Sequence, residues 1–362
     1  MVKVSIIGAG YAGLSAAISL ARSGEYPIVY EKATFVGSSE PENFKAIRNY
    51  DLPQDLVEYL KDSGFNFDFS CLKPINKITK FAPSGRKMTV YSENGALFYA
   101  IRKGDQRDSL DYQLYEQAIS EGVHIEFSQN KSLNFGDILS VNSIFRNVWA
   151  YGNLYKGVNV DPEEILFFMD NRYAPNGYLY LIPFGKHEMV VATTTFDMNC
   201  PLPTLFNKFL TENKVVSELI DDSFLANNFA GFAYSNLPKT AEIKGTKFVG
   251  SAAGFVEAGR GFGVRYALQS GQFAAESITE KKNYDSLWKT AFGSELEKGL
   301  KRRFLLEKMT NEDYEQLILD DKISIKKYDN IPGVFKDMLL NAEVSSALAE
   351  WQKKYDLSKI FS

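Results

Sequence analysis

Apolar runs and glycine-rich breaks alternate from the start of the chain. Val4–Ile7 is a short apolar run that predicts a strand, and Leu14–Arg22 carries helical spacing. Pro27–Tyr30 predicts a second strand, closed by the acid Glu31. Further on, Asp55–Ser63 reads as a helix, and Ile75–Phe81, Lys87–Tyr91 and Ala96–Ile101 as strands. The turns Pro83-Ser84-Gly85 and Glu93-Asn94-Gly95 separate those strands. Arg107–Leu114 leads into a helix that ends near Glu121-Gly122, before a strand at Val123–Phe127. Two stretches show no clear period: Ala33–Asn49, rich in glycine and polar residues, and Ser128–Phe145.

From Ala150 to Phe232 the pattern is mostly that of sheet, clearest at Glu164–Met169, Gly177–Ile182 and Glu188–Thr195. Helical pieces interrupt it at Pro203–Asn213 and Val215–Ile220. Lys247–Gly250 predicts a strand that runs into a second glycine-rich turn, Ser251–Gly263, and then a helix, Val264–Glu280. Tyr284–Ser362 reads as helical, with a break at Ile331-Pro332-Gly333.

The first unit carries chemistry. Gly8, Gly10 and Gly13 stand between a strand and a helix, and an acid closes the following strand. In that context G-x-G-x-x-G reads as a dinucleotide-binding turn. Gly8 lets the chain leave the strand sharply, Gly10 lets a pyrophosphate approach the backbone, and Gly13 lets the helix pack on the strand. The helix N-terminus offers free N–H groups and a positive dipole end to the phosphates. Glu31 is placed to accept hydrogen bonds from a ribose and to repel a 2′-phosphate. Ala17 and Gly24 keep the helix face and its exit small.

Composition narrows the rest. The chain has 362 residues, a net charge of −4 and 45% hydrophobic residues, so two or three domains are expected and nucleic-acid binding is not. Cys71 and Cys200 form no C-x-x-C pair, which argues against a disulfide framework or zinc site and fits a reducing, cytoplasmic setting. Two histidines, His124 and His187, exclude a three-histidine metal site, and His187 reads as a solvated turn residue. The dinucleotide unit begins at once, so no secretory leader is expected, and no apolar run has membrane-spanning length. The 20 tyrosines and 27 phenylalanines either line an apolar cavity or fill cores.

Four blocks together resemble the geranylgeranyl reductase family of flavoproteins, within the p-hydroxybenzoate-hydroxylase-like FAD fold. The first is the N-terminal unit through Glu31. The second is Arg107, Leu110, Asp111 and Leu114, similar to R-x-x-F-D-x-x-L. The third is Gly177–Pro183, similar to G-Y-x-W-x-F-P with Tyr180 at the Trp position. The fourth is Gly250–Gly254 with Gly261, Phe262 and Gly263, similar to G-D-A-A-G…G-x-G-I. The chain departs from the family at Ser251, where an Asp usually meets the ribityl chain, and at Val141-Asn142-Ser143, where A-D-G is usual. The β-meander before that segment is nearly absent, with Ser128–Gly136 in its place. The family's cysteine is missing from Gly37–Lys45.

The resemblance implies an α/β fold: a Rossmann-like FAD-binding domain, an inserted β-rich substrate domain and a helical C-terminal segment. The expected limits are 1–74, 102–145 and 246–281 for the first, 75–101 and 146–245 for the second, and 282–362 for the third. The implied cofactor is FAD. Its expected contacts are Gly8, Gly10, Ala12, Gly13, Glu31, Lys32, Arg107, Gly250, Ser251, Gly254, Gly261, Phe262 and Gly263. Arg107 would neutralise phosphate or hold the flavin edge. Tyr178 and Tyr180 fall on one strand face. They are the candidates to wall a lipid-sized active site, or else an ordinary sheet face.

The implied activity is reduction of carbon–carbon double bonds in an isoprenoid lipid, with ferredoxin or NAD(P)H as external electron donor. A flavin monooxygenase or other oxidoreductase on the same fold is the alternative, and a non-catalytic lipid- or partner-binding descendant is a third reading. Lys298, Arg302, Arg303, Lys322, Lys326 and Lys327 read as a solvated helix face or, for an enzyme of lipids, a peripheral membrane contact.

Overall fold

The computed structural model describes residues 3–132, 136–142, 145–318, 321–325 and 342–361. Three sheets organise it. The first has six strands in the order β15-β16-β9-β1-β2-β8. These are β1 (Lys3–Ile7), β2 (Tyr26–Tyr30), β8 (His124–Glu126), β9 (Ile138–Leu139), β15 (Glu242–Ile243) and β16 (Thr246–Phe248). All neighbours run parallel except β15, a hairpin partner of β16. Val4, Ile6, Val29, Ile138, Leu139 and Phe248 are buried in its core.

Helix α1 (Tyr11–Arg22) crosses from β1 to β2, and α6 (Val264–Thr279) packs closely on α1. Two glycines set those distances. A Cβ on Gly13 would stand 2.0 Å from the Gly8 carbonyl oxygen, and one on Gly271 would stand 2.2 Å from the Ala12 carbonyl oxygen. Helix α3 (Leu110–Ser120) also lies against α1, capped by Ser109 Oγ, which accepts from the Tyr112 N–H.

A three-stranded antiparallel sheet, β3-β7-β4, joins β3 (Asn43–Arg48), β7 (Phe98–Lys103) and β4 (Lys73–Ile75). A larger sheet has the order β14-β10-β13-β12-β11-β5-β6-β17. Its strands are β5 (Lys77–Phe81), β6 (Lys87–Ser92), β10 (Val148–Lys156), β11 (Glu164–Phe168), β12 (Gly177–Pro183), β13 (Glu188–Thr195), β14 (Phe224–Ala233) and β17 (Asp321–Ile325). Alternation along each strand builds two cores. Ile78, Ile165, Ile182 and Tyr180 meet Phe44, Phe98 and Phe262 on the inner face. Phe81, Phe168, Leu179 and Leu181 meet α4 (Leu202–Glu212) and α5 (Lys214–Ile220) on the outer face, through Phe206, Phe209 and Val216. The C-terminal part holds α7 (Tyr284–Trp288), a π-helical turn (Lys289–Gly293), α8 (Ser294–Leu306), α9 (Asn311–Leu317) and α10 (Ala342–Lys354).

Four local expectations change. The polar stretch 33–49 contains β3, which the antiparallel register with β7 holds in place. The aperiodic stretch 128–145 contains β9, two residues long yet central in the first sheet, between β16 and β1. The run expected as one strand at Ile75–Phe81 divides at Asn76, because β4 and β5 belong to different sheets. The C-terminal segment is not wholly helical, since β17 pairs parallel with the edge strand β6. The expected break at Ile331-Pro332-Gly333 lies outside the described residues, as does Ser143. The three-stranded sheet links residues assigned from sequence to both of the first two domains, so we keep those limits as a proposal with this sheet at the junction.

Candidate functional site

The C-terminal edge of the parallel sheet brings the two glycine turns together. After β1 the chain turns at Gly8 with φ +98°, a left-handed conformation that favours glycine. A Cβ there would also stand 2.3 Å from the Ser140 carbonyl oxygen. Gly10 is different. Its φ of −79° and ψ of 179° suit any residue, and the nearest atom to a Cβ on it is Ser140 Oγ at 3.8 Å. Nothing in this chain's own packing therefore calls for glycine at position 10. Helix α1 has no side-chain cap and no acid in its first turn. Among the described residues, the N–H groups of Gly10, Tyr11 and Ala12 have no hydrogen-bond acceptor. A row of free amides beside an open glycine is the geometry that receives a phosphate.

Glu31 ends β2 beside this turn. Its Oε2 accepts from the Ala9 N–H at 2.7 Å and its Oε1 from the Ala33 N–H at 2.8 Å. Each carboxylate oxygen keeps a second lone pair for a ribose hydroxyl. Lys32 next to it is exposed. Ser140, just after β9, accepts at its Oγ from the Gly13 N–H at 2.8 Å and so braces the turn from the far side.

Arg107 is exposed at the turn before α3 and does not reach this site within the described contacts. Cations that the sequence did not single out stand closer. Lys103 Nζ lies 5.7 Å from the centre of the Tyr11 ring, 3.5 Å from Asp111 Oδ1 and 3.7 Å from Glu40 Oε2. Asp111 accepts from the Tyr11 hydroxyl at 3.0 Å. Burial and then the Asp111 charge push the Tyr11 hydroxyl well above its ordinary pKa. Burial pushes the Glu40 carboxyl up, but Lys45, Lys103 and the Asn142 side chain outweigh it and leave Glu40 below its ordinary value. Burial would lower Lys103, yet Asp111 and Glu40 raise it. The pattern that could have pointed to Lys103 is its place at the end of β7, one turn ahead of the R-x-x-L-D block.

The second turn follows β16. Gly250 and Gly254 are buried, Ser251 is exposed, and Gly261 to Gly263 lead into α6, which also lacks a side-chain cap and an acid in its first turn. A Cβ on Gly254 would stand 2.6 Å from that of Asn236. Phe262 packs against Phe98 with ring centres 5.9 Å apart, and the Arg48 guanidinium lies over it at 5.4 Å. Tyr178 and Tyr180 do share a face, with ring centres 5.9 Å apart, and Phe167 lies 4.8 Å from Tyr178. Tyr178 is the second residue of β12 and Tyr180 its middle one. The Tyr178 hydroxyl donates to the Arg260 carbonyl, so the strand and the second turn touch at that point. Burial pushes the Tyr180 hydroxyl up to about 12 and Tyr178 well above its ordinary value.

Comparison with known proteins decides what this edge belongs to. A family model described as an FAD binding domain matches residues 3–40. A digeranylgeranylglycerophospholipid reductase of Methanocaldococcus jannaschii is 22% identical over 93% of this chain and 98% of its own. A geranylgeranyl bacteriochlorophyll reductase-like protein of Thermoplasma acidophilum superposes with a TM-score of 0.72 at 17% identity, over 96% of both chains. This chain has the FAD-binding fold of the geranylgeranyl reductase-like flavoproteins. Identity is higher in a digeranylgeranylglycerophospholipid reductase of Methanothermobacter thermautotrophicus, 28% over 51% of this chain, but the match spans only 53% of that protein. The chain thus spans about half the length of the first curated relatives it matches, one of them over 42%.

The FAD-binding fold accounts for both glycine turns and for the free amides of α1. Among the described residues no cluster could hold a metal ion, and no helix is long and apolar enough to cross a membrane. Two C-terminal cations expected on a solvated face turn inward. Arg303 is 1% exposed, over Phe196 and paired with Glu307, and Arg302 reaches Glu257 Oε1 at 3.4 Å. Lys298 is exposed, Lys326 and Lys327 lie outside the described residues, and nothing is described of the Lys322 side chain. His187 is exposed in its turn, with Nδ1 3.0 Å from the Val158 carbonyl oxygen.

Proposed function

We propose that this chain is an FAD-dependent reductase of carbon–carbon double bonds in an isoprenoid lipid. The observation that carries the flavin part is Gly10, a glycine that the protein's own packing does not need, beside three amides left free. The substrate class rests on the relatives, whose printed names are digeranylgeranylglycerophospholipid reductase and geranylgeranyl diphosphate reductase.

Bound FAD would supply the hydride. The protein's part is to bind, orient and exclude water. Glu31 would hold the adenosine ribose, and the free Gly10, Tyr11 and Ala12 amides would hold the pyrophosphate, with Lys103 nearby. Ser251, Gly254 and Gly261–Gly263 would border the ribityl chain and ring, where the uncapped start of α6 would favour negative charge. The Phe167, Tyr178 and Tyr180 face supplies an apolar wall for the lipid. Ferredoxin or NAD(P)H would reload the flavin, in the cytoplasm or at a membrane surface.

The test is the absorbance spectrum of purified protein with added FAD, followed by rapid mixing of the reduced protein with a polyprenyl alkene. The reading expects flavin bands and anaerobic reoxidation by the alkene. Substrate-coupled oxygen consumption instead would favour a monooxygenase, and absence of flavin bands would favour a non-catalytic binder.

A further inference from the structure

The inner face of the large sheet is mostly apolar, and where Lys156 and Glu188 interrupt it they pair with each other. Ile78 pairs with Ile165, and in the next row Lys80 pairs with Phe167, which pairs with Tyr180. Side chains alternate along a strand. Thr79 and Phe81 belong to the outer face, where Thr79 bonds Thr89 and Glu164, so Lys80 stands with Ile78 on the inner one. Among the described residues, no carboxylate or other group forms an ion pair or hydrogen bond with the Lys80 ammonium.

The charge that acts on Lys80 is another cation, Arg260, and the strands bring the two to one region: Lys80 pairs with Phe167, the Phe167 ring lies 4.8 Å from that of Tyr178, and Tyr178 bonds the Arg260 backbone. Arg260 belongs to the second glycine turn. Its carbonyl holds the Tyr178 hydroxyl, and its guanidinium donates to the Tyr50 hydroxyl. Arg260 likewise has no ion pair among the described residues. Arg302 stands near it, pushed below its ordinary pKa by burial and by Arg260, with Glu257 opposing. Burial first, and then Arg260, bring Lys80 down to about 8. Two half-buried like charges, neither paired with an acid among the described residues, destabilise the free protein unless an anion joins them.

We propose that Lys80 and Arg260 hold the anionic head of the substrate, a phosphate or diphosphate ester, while its hydrocarbon tail runs along Phe167, Tyr178 and Tyr180. Arginine and lysine together are the usual partners of phosphate oxygens. The aromatic row beginning beside Lys80 gives the tail an apolar surface continuous with the head site. The tail part of the proposal rests on the reductase reading, and the head part stands on the cation pair.

Calorimetric titration of the full chain separates the two. The ligands are geranylgeranyl diphosphate, geranylgeranyl monophosphate, geranylgeraniol and inorganic diphosphate. Wild type should bind a phosphorylated ligand at least roughly tenfold tighter than the alcohol, and the two esters distinguish a monophosphate site from a diphosphate site. Lys80→Met and Arg260→Met should each lose most of that preference with little change toward the alcohol. Lys80→Met should also melt higher than wild type without ligand, because an unpaired charge has been replaced by an apolar chain, so lost binding would not reflect misfolding. Equal affinity of wild type for ester and alcohol, or a preference that survives in Lys80→Met, would overturn the head site and leave the reductase reading standing. Lys80-dependent binding of inorganic diphosphate with no binding of any prenyl compound would uphold the head site and overturn the lipid reading. Binding of none of the four would overturn both.

Discussion

The Tyr178 hydroxyl donates to the carbonyl of Arg260 and so fastens β12 of the large sheet to the turn that leads into α6. A residue of the proposed lipid wall thus holds the backbone of the second glycine turn. Tyr178→Phe keeps the ring and removes only this bond. It should lower stability by about 1 kcal/mol in urea melts and leave FAD affinity unchanged, while slowing reoxidation by the lipid. An unchanged melt would show that the turn holds its place without Tyr178.

The close contact of α1 and α6 depends on Gly271. A Cβ there would stand 2.2 Å from the Ala12 carbonyl and 2.9 Å from the Ala16 nitrogen, both backbone atoms with little room to move. Gly271→Ala should destabilise the protein by about 1–3 kcal/mol, measured by urea unfolding. Wild-type stability in this variant would mean that the helices can separate without loss.

Ser251 stands where the resembling family usually has Asp. It is exposed beside the site, and its side chain makes no hydrogen bond within the described contacts. Ser251→Asp should tighten FAD binding by about 1 kcal/mol, the typical difference between a neutral and a charge-assisted hydrogen bond. Fluorescence titration of FAD measures it, and weaker binding would mean that this turn is shaped for another contact.

Lys80 gives a pH dependence with a definite sign. Its folded-state value of about 8 lies below the ordinary 10.5. Between those values the unfolded chain holds a proton that the folded chain has released, so the Lys80 contribution to stability rises with pH across the window. Below it the folded protein carries the whole penalty of the half-buried charge. The advantage of Lys80→Met over wild type should therefore be largest below pH about 8 and shrink toward 10.5. Urea midpoints of both proteins across that range provide the check, and a constant difference would contradict it.

Local rules reached some parts of this fold and not others. The first βαβ unit was legible because each of its glycines answers a nearby need: Gly8 turns the chain and Gly13 meets the Gly8 carbonyl. Strands β11, β12 and β13 were legible because alternation of side chains reflects two buried faces. Strand β9 was not, since two residues carry no period and only their neighbours β1 and β16 make them a strand. Strand β3 was hidden for the same reason, its register being set by β7, far away in sequence. In the site, Glu31 and the glycines follow from motif spacing. The inward placement of Lys80, the Glu40–Lys103 contact and the burial of Arg303 depend on tertiary packing, which no local pattern encodes.

The central claim is that the first glycine turn holds FAD, and Gly10→Val tests it most directly. The backbone at Gly10 accepts valine, and its Cβ would meet only Ser140 Oγ at 3.8 Å, so the variant should fold. The side chain would occupy the approach of the pyrophosphate. Wild type and Gly10→Val would be loaded with FAD, passed through a desalting column and compared by flavin absorbance, with circular dichroism as the check of folding. The account predicts flavin bands in wild type and none in a folded Gly10→Val. Equal flavin in the two proteins, or none in wild type, would contradict it.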